Sequence, residues 1–399
     1  VMQGRVPEAR QTMARALLAQ APDREALVLL LQLAGDDAES GEPLPSQKEG
    51  GLAASIVERF GAVGVEGLCA LAERFVEPES FGWTRRLADL VERQLIAREH
   101  AGPLRALAAK HVSSEDAGQL DDSLRLLELV GAPSELLERV LSLGLDDDLG
   151  AWEARKLIVG WSDRGIDARL TSEMAMALAD RDWSRLQNAA WMALGRGSPA
   201  AGVIAQRVLE VAEADEEATD AAVECARGLR ALGRLEDAWA LAVLARPESA
   251  LFAVVARVWR KSPTVRGALE SALGSGARRG SSAAEAAVAL LESDPPLSPR
   301  DKRLPGVLAN APPAQRAALV FAMCVRGAPF ALVAAHLESL LTSSDARVTS
   351  ALVGVALWLK SPKAHALLRT ILPRVVDAEL RADIEEELGE PVTPFWAEG

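Results

Sequence analysis

The sequence contains no tyrosine, and aromatic residues make up only 4% of its 399 residues, although hydrophobic residues make up 49%. Most of the apolar content is therefore alanine, leucine and valine, which suits closely packed helices better than strands, because strands favour β-branched and aromatic side chains. We also find no convincing stretch of alternating apolar and polar residues. The composition predicts an all-α fold.

Cysteine is scarce as well. Cys69, Cys225 and Cys324 lie far apart, each among apolar neighbours. An odd and sparse set of this kind indicates neither a disulfide framework nor a metal site, so we interpret all three as buried thiols of a reducing compartment. The longest apolar run, residues 351–359, is far shorter than the ~20 residues of a membrane-spanning helix, and the first residues show no signal-peptide pattern. These absences predict a cytoplasmic protein with no membrane association.

The usual motifs of catalysis are also missing. The chain has only four histidines: His100, His111, His336 and His365. None lies in an HExxH motif or has a second ligand at metal-binding spacing, and there is no G-x-S-x-G motif or P-loop. The glycine-rich segment at 274–282 lacks the G-K-[ST] sequence, so we interpret it as a loop. We therefore predict no catalytic residue, no metal and no cofactor.

The net charge is −13 and the isoelectric point is near 5.0. Such an acidic surface repels a phosphate backbone, which argues against a nucleic-acid partner. Arginine accounts for 37 of the 44 basic residues, which we attribute to a GC-rich coding bias rather than to binding.

What the sequence does contain is a recurring turn. Similar apolar segments are interrupted at five prolines: Pro133, Pro199, Pro263, Pro329 and Pro362. Their positions differ successively by 66, 64, 66 and 33. Proline is tolerated in the first turn of a helix, and a preceding glycine or serine permits the chain reversal. We expect a turn between helices within two residues of each of these prolines, with the proline in the first turn of the following helix.

The steps between the prolines are close to whole multiples of about 33 residues, a period typical of helical hairpins that bury their apolar faces against neighbouring hairpins. We therefore predict a right-handed α-solenoid of about ten helical hairpins. The intermediate positions of the same period fall at Pro103, Ile166, Leu232 and Pro296.

Two segments resemble known repeat families. The stretch DRDWSRLQNAAWMALGRGSPAAGVIAQRVLEV, residues 180–211, looks like a HEAT repeat of the bacterial type, with Ala190, Ala193, Leu194 and Gly195 as its small packing residues. SDARVTSALVGVALWLKSPKAHALL is a looser match. The resemblance covers roughly 180–388 and implies an extended surface that holds proteins or peptides.

The start of the chain, GRVPEARQTMARALLAQAP, resembles the second half of a tetratricopeptide repeat, since Gly4, Ala9, Met13 and Ala16 fit the family pattern. The preceding helix of such a repeat is absent. We therefore expect the chain either to be the C-terminal part of a longer protein or to begin at a non-AUG codon.

From these patterns we predict five regions. They are a tetratricopeptide-like hairpin at 1–34, an acidic linker at 35–50, irregular helical repeats at 51–180, HEAT-like repeats at 181–388 and a tail at 389–399.

Charged and aromatic segments leave alternatives open. The acidic stretches at 209–220 and 377–390 are either solvated helix ends or docks for a basic partner segment. A basic cluster at 257–279 could meet an acidic partner, a phosphorylated segment or a neighbouring acidic repeat. Trp259 and Trp358 are predicted to pack between repeats, whereas Phe395 and Trp396 either cap the last repeat or form a linear motif.

These observations predict a non-catalytic scaffold or adaptor that binds a protein or peptide along a concave face; they predict no oligomeric state. The alternatives are a regulatory or substrate-binding domain of a larger enzyme and a HEAT-like enzyme acting on nucleic acid. Six polar residues are predicted to face outward on successive helices and to bind the partner: Arg185, Asn188, Glu224, Arg227, Arg316 and Arg347.

Overall fold

A computed structural model describes most of the chain. The described residues are 5–19, 23–40, 51–74, 83–97, 100–114, 116–146, 150–163, 165–274, 280–343, 348, 362–376 and 378–389. All regular secondary structure in these ranges is helical, and they contain no strand. The predicted all-α class is confirmed.

The chain divides into two compact units, 1–201 and 202–399. The helices that lie within unit 1 are α1 (Arg5–Ala19), α2 (Arg24–Ser40), α3 (Gly51–Arg74), α4 (Trp83–Glu92), α5 (Ala101–His111), α6 (Ala117–Val130), α7 (Leu137–Leu145), α8 (Ala151–Gly160), α9 (Gly165–Asp180) and α10 (Trp183–Gly195). Helix α11 (Pro199–Ala212) begins at the end of this unit.

The helices described in unit 2 are α12 (Thr219–Ala231), α13 (Asp237–Leu244), α14 (Leu251–Trp259), α15 (Pro263–Gly274), α16 (Gly280–Leu291), α17 (Leu304–Asn310), α18 (Pro313–Val325), α19 (Phe330–Leu341), α20 (Pro362–Ile371) and α21 (Ala378–Gly389). Short 3-10 helices occur at Ser134–Leu136, Glu216–Ala218 and Leu372–Arg374.

The recurring prolines lie at helix starts, as predicted. Pro199 and Pro263 are the first residues of α11 and α15, and Pro329 directly precedes α19. Pro133 directly precedes a 3-10 turn that leads into α7. Pro362 begins α20, but the residues before it lie outside the described part of the chain.

The glycine two residues before three of these prolines makes the chain reversal. Gly131, Gly197 and Gly327 have φ angles of 82°, 77° and 72°, a region that side chains with a Cβ atom adopt at a cost. At the second of these turns, the N–H of Ser198 donates to the carbonyl of Ala193 at 3.1 Å, as in the Schellman motif that ends many helices. The local sequence therefore determines where these helices stop.

Within each unit, helices two apart in the chain pack side by side. In unit 1, α4, α6, α8 and α10 contact one another in succession, and in unit 2, α12, α14, α16 and α18 do the same. These even-numbered helices begin at positions 83, 117, 151 and 183 in unit 1 and at positions 219, 251, 280 and 313 in unit 2. The intervals between successive helix starts are close to the predicted period in both units.

The turns at Pro133 and Pro263 join hairpins rather than closing them. The most extensively packed consecutive pairs are α5 with α6, α7 with α8, α9 with α10, and α15 with α16. By contrast, α6 and α7, which flank Pro133, pack little on each other, and the same holds for α14 and α15 at Pro263. Around these two turns the repeating unit is an odd-numbered helix followed by an even-numbered one, whereas α18 packs more on α19, across the Pro329 turn, than on α17.

The predicted region boundaries differ from the packing at two places. Helix α2 continues to Ser40, so the first part of the acidic stretch at 35–50 is helical rather than a linker; residues 41–50 are outside the described ranges. Helices α9 and α10 pack closely across the expected change of repeat type at 180/181, whereas the division between units falls at 201/202.

Arginine side chains close the C-terminal ends of neighbouring helices. The last carbonyl groups of a helix have no partner within it, and the planar guanidinium group can bind several of them at once. The arginines that donate in this way to the residues at or just after a helix end are Arg105 at α6, Arg155 at α7, Arg196 at α8, Arg230 at α14 and Arg316 at α17. This geometry gives arginine a structural role that lysine cannot fill, in addition to any coding bias.

Candidate protein-binding surface

Arg185, the first residue predicted to bind a partner, joins two helices. Its Nε and Nη2 atoms donate to Oε2 of Glu173 at 3.1 and 2.8 Å. The Glu173 carboxylate is buried, so Arg185 provides its charge compensation and ties α10 to α9. Although its side chain is 40% exposed, a substitution here would disturb packing as well as any partner.

Asn188 does not face outward, and its predicted exposure is wrong. The residue is 4% exposed, and its Nδ2 atom donates to the carbonyl of Leu145 at 2.9 Å. That carbonyl belongs to the last turn of α7, where helical carbonyl groups lack partners. The helical periodicity placed Asn188 near the edge of the apolar stripe, and the approach of α7 buries it.

Arg316 also makes a structural contact. Its Nη2 atom donates to the carbonyl of Ala311 at 2.7 Å, at the end of α17, and its Nε atom is buried. The guanidinium group therefore points towards the preceding turn. Arg347 lies outside the described residues.

Arg227 lies exposed on α12, whereas Glu224 does not. The Arg227 side chain is 53% exposed and forms an ion pair with Glu224 one turn earlier, whose side chain is only 12% exposed. Of the five predicted residues that can be placed, Arg227 combines an exposed side chain with an ion pair that stays within its own helix.

Charged side chains of α12, α14 and α16 form a charged face in unit 2. Arg257 on α14 lies 2.8 Å from Asp220 on α12 and 3.8 Å from Glu285 on α16. Arg260 lies 3.4 Å from Glu292, just after α16. We define the charged face as Asp220, Glu224, Arg227, Arg257, Glu285 and the pair Arg260–Glu292.

These contacts account for much of the basic cluster at 257–279. Arg257, Arg260 and Arg266 all meet carboxylates of their own or adjacent helices, the last at 2.9 Å from Glu270. The structure therefore supports the neighbouring-repeat interpretation for Arg257 and Arg260, whereas Arg266 pairs within its own helix. Arg278 and Arg279 lie outside the described ranges.

A different surface is formed in unit 1 by α6, α8 and α10. Trp152 on α8 is 55% exposed, and its ring centroid lies 5.3 Å from that of Trp191 on α10, with the rings tilted by 51°. Lys156 places its Nζ atom 5.3 Å from the centroid of Trp152 and 2.8 Å from Oε1 of Glu153. The two rings therefore present an exposed aromatic surface bordered by charge.

Two neighbouring carboxylates of α6 differ in their surroundings. Asp121 interacts electrostatically with Glu153 and Lys156 across the α6–α8 contact, whereas Asp122 interacts with Arg85 of α4 and with Arg125. Burial raises the pKa of both groups, that of Asp122 to about 6. We call the surface around the two rings the tryptophan face, defined as Asp121, Trp152, Glu153, Lys156 and Trp191.

The tryptophan face was not predicted from sequence. The tryptophans were interpreted as packing residues, which is correct for Trp259, since its side chain is fully buried. Trp152 lies in AWEARK, where charged residues follow it at the next position and four residues on. That polar context is the one indication of exposure that the sequence offered.

Asp122 allows a pH-dependent prediction. Because its folded pKa is raised above that of an unfolded chain, the ionised group opposes folding at pH 7, and this cost disappears as the pH falls through 6 towards 4. We expect Asp122→Asn to stabilise the protein at pH 7 by about 1 kcal/mol after allowance for partial exposure. Chemical denaturation of variant and parent at pH 7 and pH 4 measures the difference in their free energies of unfolding. This difference should disappear at pH 4.

The exposed Glu128 on the same helix provides the control. Glu128→Gln should change stability by no more than about 0.5 kcal/mol. A pH-independent gain from Asp122→Asn would contradict the electrostatic cause.

The described residues contain no group of three or more histidines, cysteines or acidic residues that could hold a metal ion. Burial raises the pKa of Cys69 and of Cys324 to about 12 and raises that of Cys225 further. These thiols are therefore protonated at neutral pH, which is opposite to what a nucleophile requires.

Among the described helices, none has the length and apolar character needed to cross a membrane. Comparisons with models of protein families, with curated proteins and with solved structures find no match to this chain. Its function has to be inferred from its own surfaces.

Proposed function

We propose that this protein is a non-catalytic α-solenoid scaffold that binds protein partners on the exposed sides of its even-numbered helices. The observation that carries the proposal is the succession of such helices in each unit, which lines up exposed side chains across three or more neighbouring helices. Repeat architectures use surfaces of this kind to spread a partner's contacts over several repeats. In this proposal the hairpins continue as a right-handed superhelix.

Two further features support a protein partner over nucleic acid. The net charge of −13 opposes approach to phosphates. Arg257 and Arg260, two cations of the basic cluster, are neutralised by carboxylates of adjacent helices. We also place the protein in the cytoplasm, because its three cysteines are not joined in disulfides and suit a reducing compartment.

Charge reversal on the charged face tests the proposal. Arg227→Glu removes an exposed cation whose ion pair lies within its own helix, unlike reversal of Arg185 or Arg316, which breaks a contact to another helix or its end. We expect it to reduce capture of partner proteins by the immobilised full chain about fivefold, since an exposed ion pair is worth up to about 1 kcal/mol. Quantitative mass spectrometry of the captured proteins measures the effect.

Arg207→Glu is the matched control. Arg207 is also exposed and also pairs with a glutamate three residues away, Glu210, but it lies on the odd-numbered helix α11. Partners should be retained by this variant as by the parent. Equal retention by Arg227→Glu and the parent, or equal loss with Arg207→Glu, would count against binding by the even-numbered helices of unit 2.

A further inference from the structure

Trp152 exposes aromatic surface beside the partly exposed Trp191. Trp259 is completely buried and Trp83 is 2% exposed, whereas Trp152 is 55% exposed. Exposed tryptophan is unfavourable in water and is enriched among the residues that dominate protein interfaces. The pair therefore marks a contact point.

Some charged side chains around the two tryptophans have an ion-pair partner and others do not. Lys156 is engaged by Glu153 at 2.8 Å, and Arg125 by Asp89 at 3.0 Å. Asp121 forms no hydrogen bond or ion pair with the described residues, and it interacts with Lys156 at longer range. The tryptophan face thus combines an aromatic surface with a carboxylate that has no cation at ion-pair distance in the described part of the chain.

The position of Lys156 shows what this surface attracts. Its ammonium group lies over the ring of Trp152, so the aromatic face already receives a cation from its own helix. A guanidinium group fits such a place better than an ammonium group, because it is planar, more weakly hydrated and able to stack on a ring while it donates to a carboxylate.

We propose that the tryptophan face binds an arginine-bearing segment of a protein partner, with a guanidinium group that takes the place of Lys156 on the ring of Trp152 and a second one paired with Asp121. This inference rests on the proposed scaffold function and specifies the partner's chemistry at unit 1. A nucleic acid would bring phosphates against Asp121 and Glu153 and is therefore disfavoured.

Fluorescence anisotropy with a labelled synthetic peptide tests the inference. The peptide carries four arginines separated by serine and glycine, and matched peptides carry lysine or the neutral isostere citrulline. We expect saturable binding of the arginine peptide by the full chain, about threefold weaker binding of the lysine peptide and none of the citrulline peptide. Binding should weaken as salt is added.

Variants then locate the binding site. Trp152→Ala and Asp121→Asn should each weaken binding of the arginine peptide about tenfold, which corresponds to about 1.4 kcal/mol. The double variant Glu216→Gln/Glu217→Gln removes more charge, from the acidic stretch at 209–220, and should leave affinity within about twofold. Circular dichroism should show unchanged helicity in all three.

Three outcomes would overturn the inference. They are the absence of saturable arginine-peptide binding, an equal loss in the Glu216/Glu217 double variant, and equally tight binding of a neutral proline-rich peptide that depends on Trp152. The second would indicate general charge attraction, and the third an aromatic site for proline. If Arg227→Glu still releases partners in any of these cases, the scaffold function stands and only the assignment of this face fails.

Discussion

Arg196→Met is expected to destabilise unit 1 by about 3 kcal/mol, because the arginine binds several carbonyl groups that then lose a charged donor. Its side chain is 8% exposed. Nη1 donates to the carbonyls of Ile158 and Trp161, and Nη2 donates to that of Asp163, all at or just after the end of α8. Nε donates to Oδ1 of Asp167 on α9 at 2.6 Å.

Thermal unfolding and amide hydrogen exchange should both report the loss of stability in Arg196→Met. The melting temperature should fall, and amide hydrogen exchange should accelerate first in α8 and at the start of α9, where the guanidinium group joins the two helices. Arg196→Lys should retain little of the stability that Arg196 provides, since an ammonium group cannot reproduce the forked geometry of the guanidinium group.

Arg207→Met serves as the control for losing an arginine. That side chain is 67% exposed and forms an ion pair with Glu210 on the same helix, so the change should stay within about 0.5 kcal/mol. If Arg196→Met is as mild as Arg207→Met, the contacts at the end of α8 do not contribute to stability as we describe.

Trp259→Ala is expected to destabilise unit 2 by about 4 kcal/mol, the cost of removing a large buried aromatic side chain. Its Nε1 atom donates to Oδ1 of Asp237 at 2.8 Å. The ring lies 5.7 Å from that of Trp239, and the guanidinium carbon of Arg230 lies 4.9 Å from its centroid. The substitution therefore removes packing, a hydrogen bond and a cation–π contact together.

Trp259→Phe separates these contributions. It keeps much of the ring packing but removes the N–H donor, so it should cost about 1–2 kcal/mol. Asp237 would still accept a hydrogen bond from Ser262. Denaturant unfolding followed by circular dichroism measures both variants.

Trp152→Ala provides the contrasting case. Because Trp152 is exposed, its removal should leave the melting temperature nearly unchanged while it weakens the arginine peptide. A large stability loss from Trp152→Ala, or a negligible one from Trp259→Ala, would mean that the two tryptophans do not have the separate roles assigned to them.

The helical period was predictable because its causes are local. A glycine with positive φ ends a helix and a proline begins the next one, and both effects depend on a few adjacent residues. The turns at Gly131, Gly197 and Gly327 could therefore be expected before any packing was known. Which helices pair most closely was not predictable from these turns, since pairing depends on contacts between distant residues.

The partner-binding residues were harder to predict for the same reason. Helical periodicity places Arg185, Asn188 and Arg316 outside the main apolar stripe, but it does not report which other helix end lies within reach of a polar side chain. Glu173, the carbonyl of Leu145 and the carbonyl of Ala311 supply those contacts. Arg227 stayed exposed because its ion pair, with Glu224, lies within its own helix.

The sequence by itself determined the all-α class, the helix boundaries at proline turns and the regular spacing of those turns, since composition and backbone preference act within each segment. Only the tertiary structure decided which polar side chains hold helix ends, which cations are neutralised and where two tryptophans 39 positions apart meet at the surface. Those outcomes depend on the distance between atoms on different helices, which no single segment of the chain encodes.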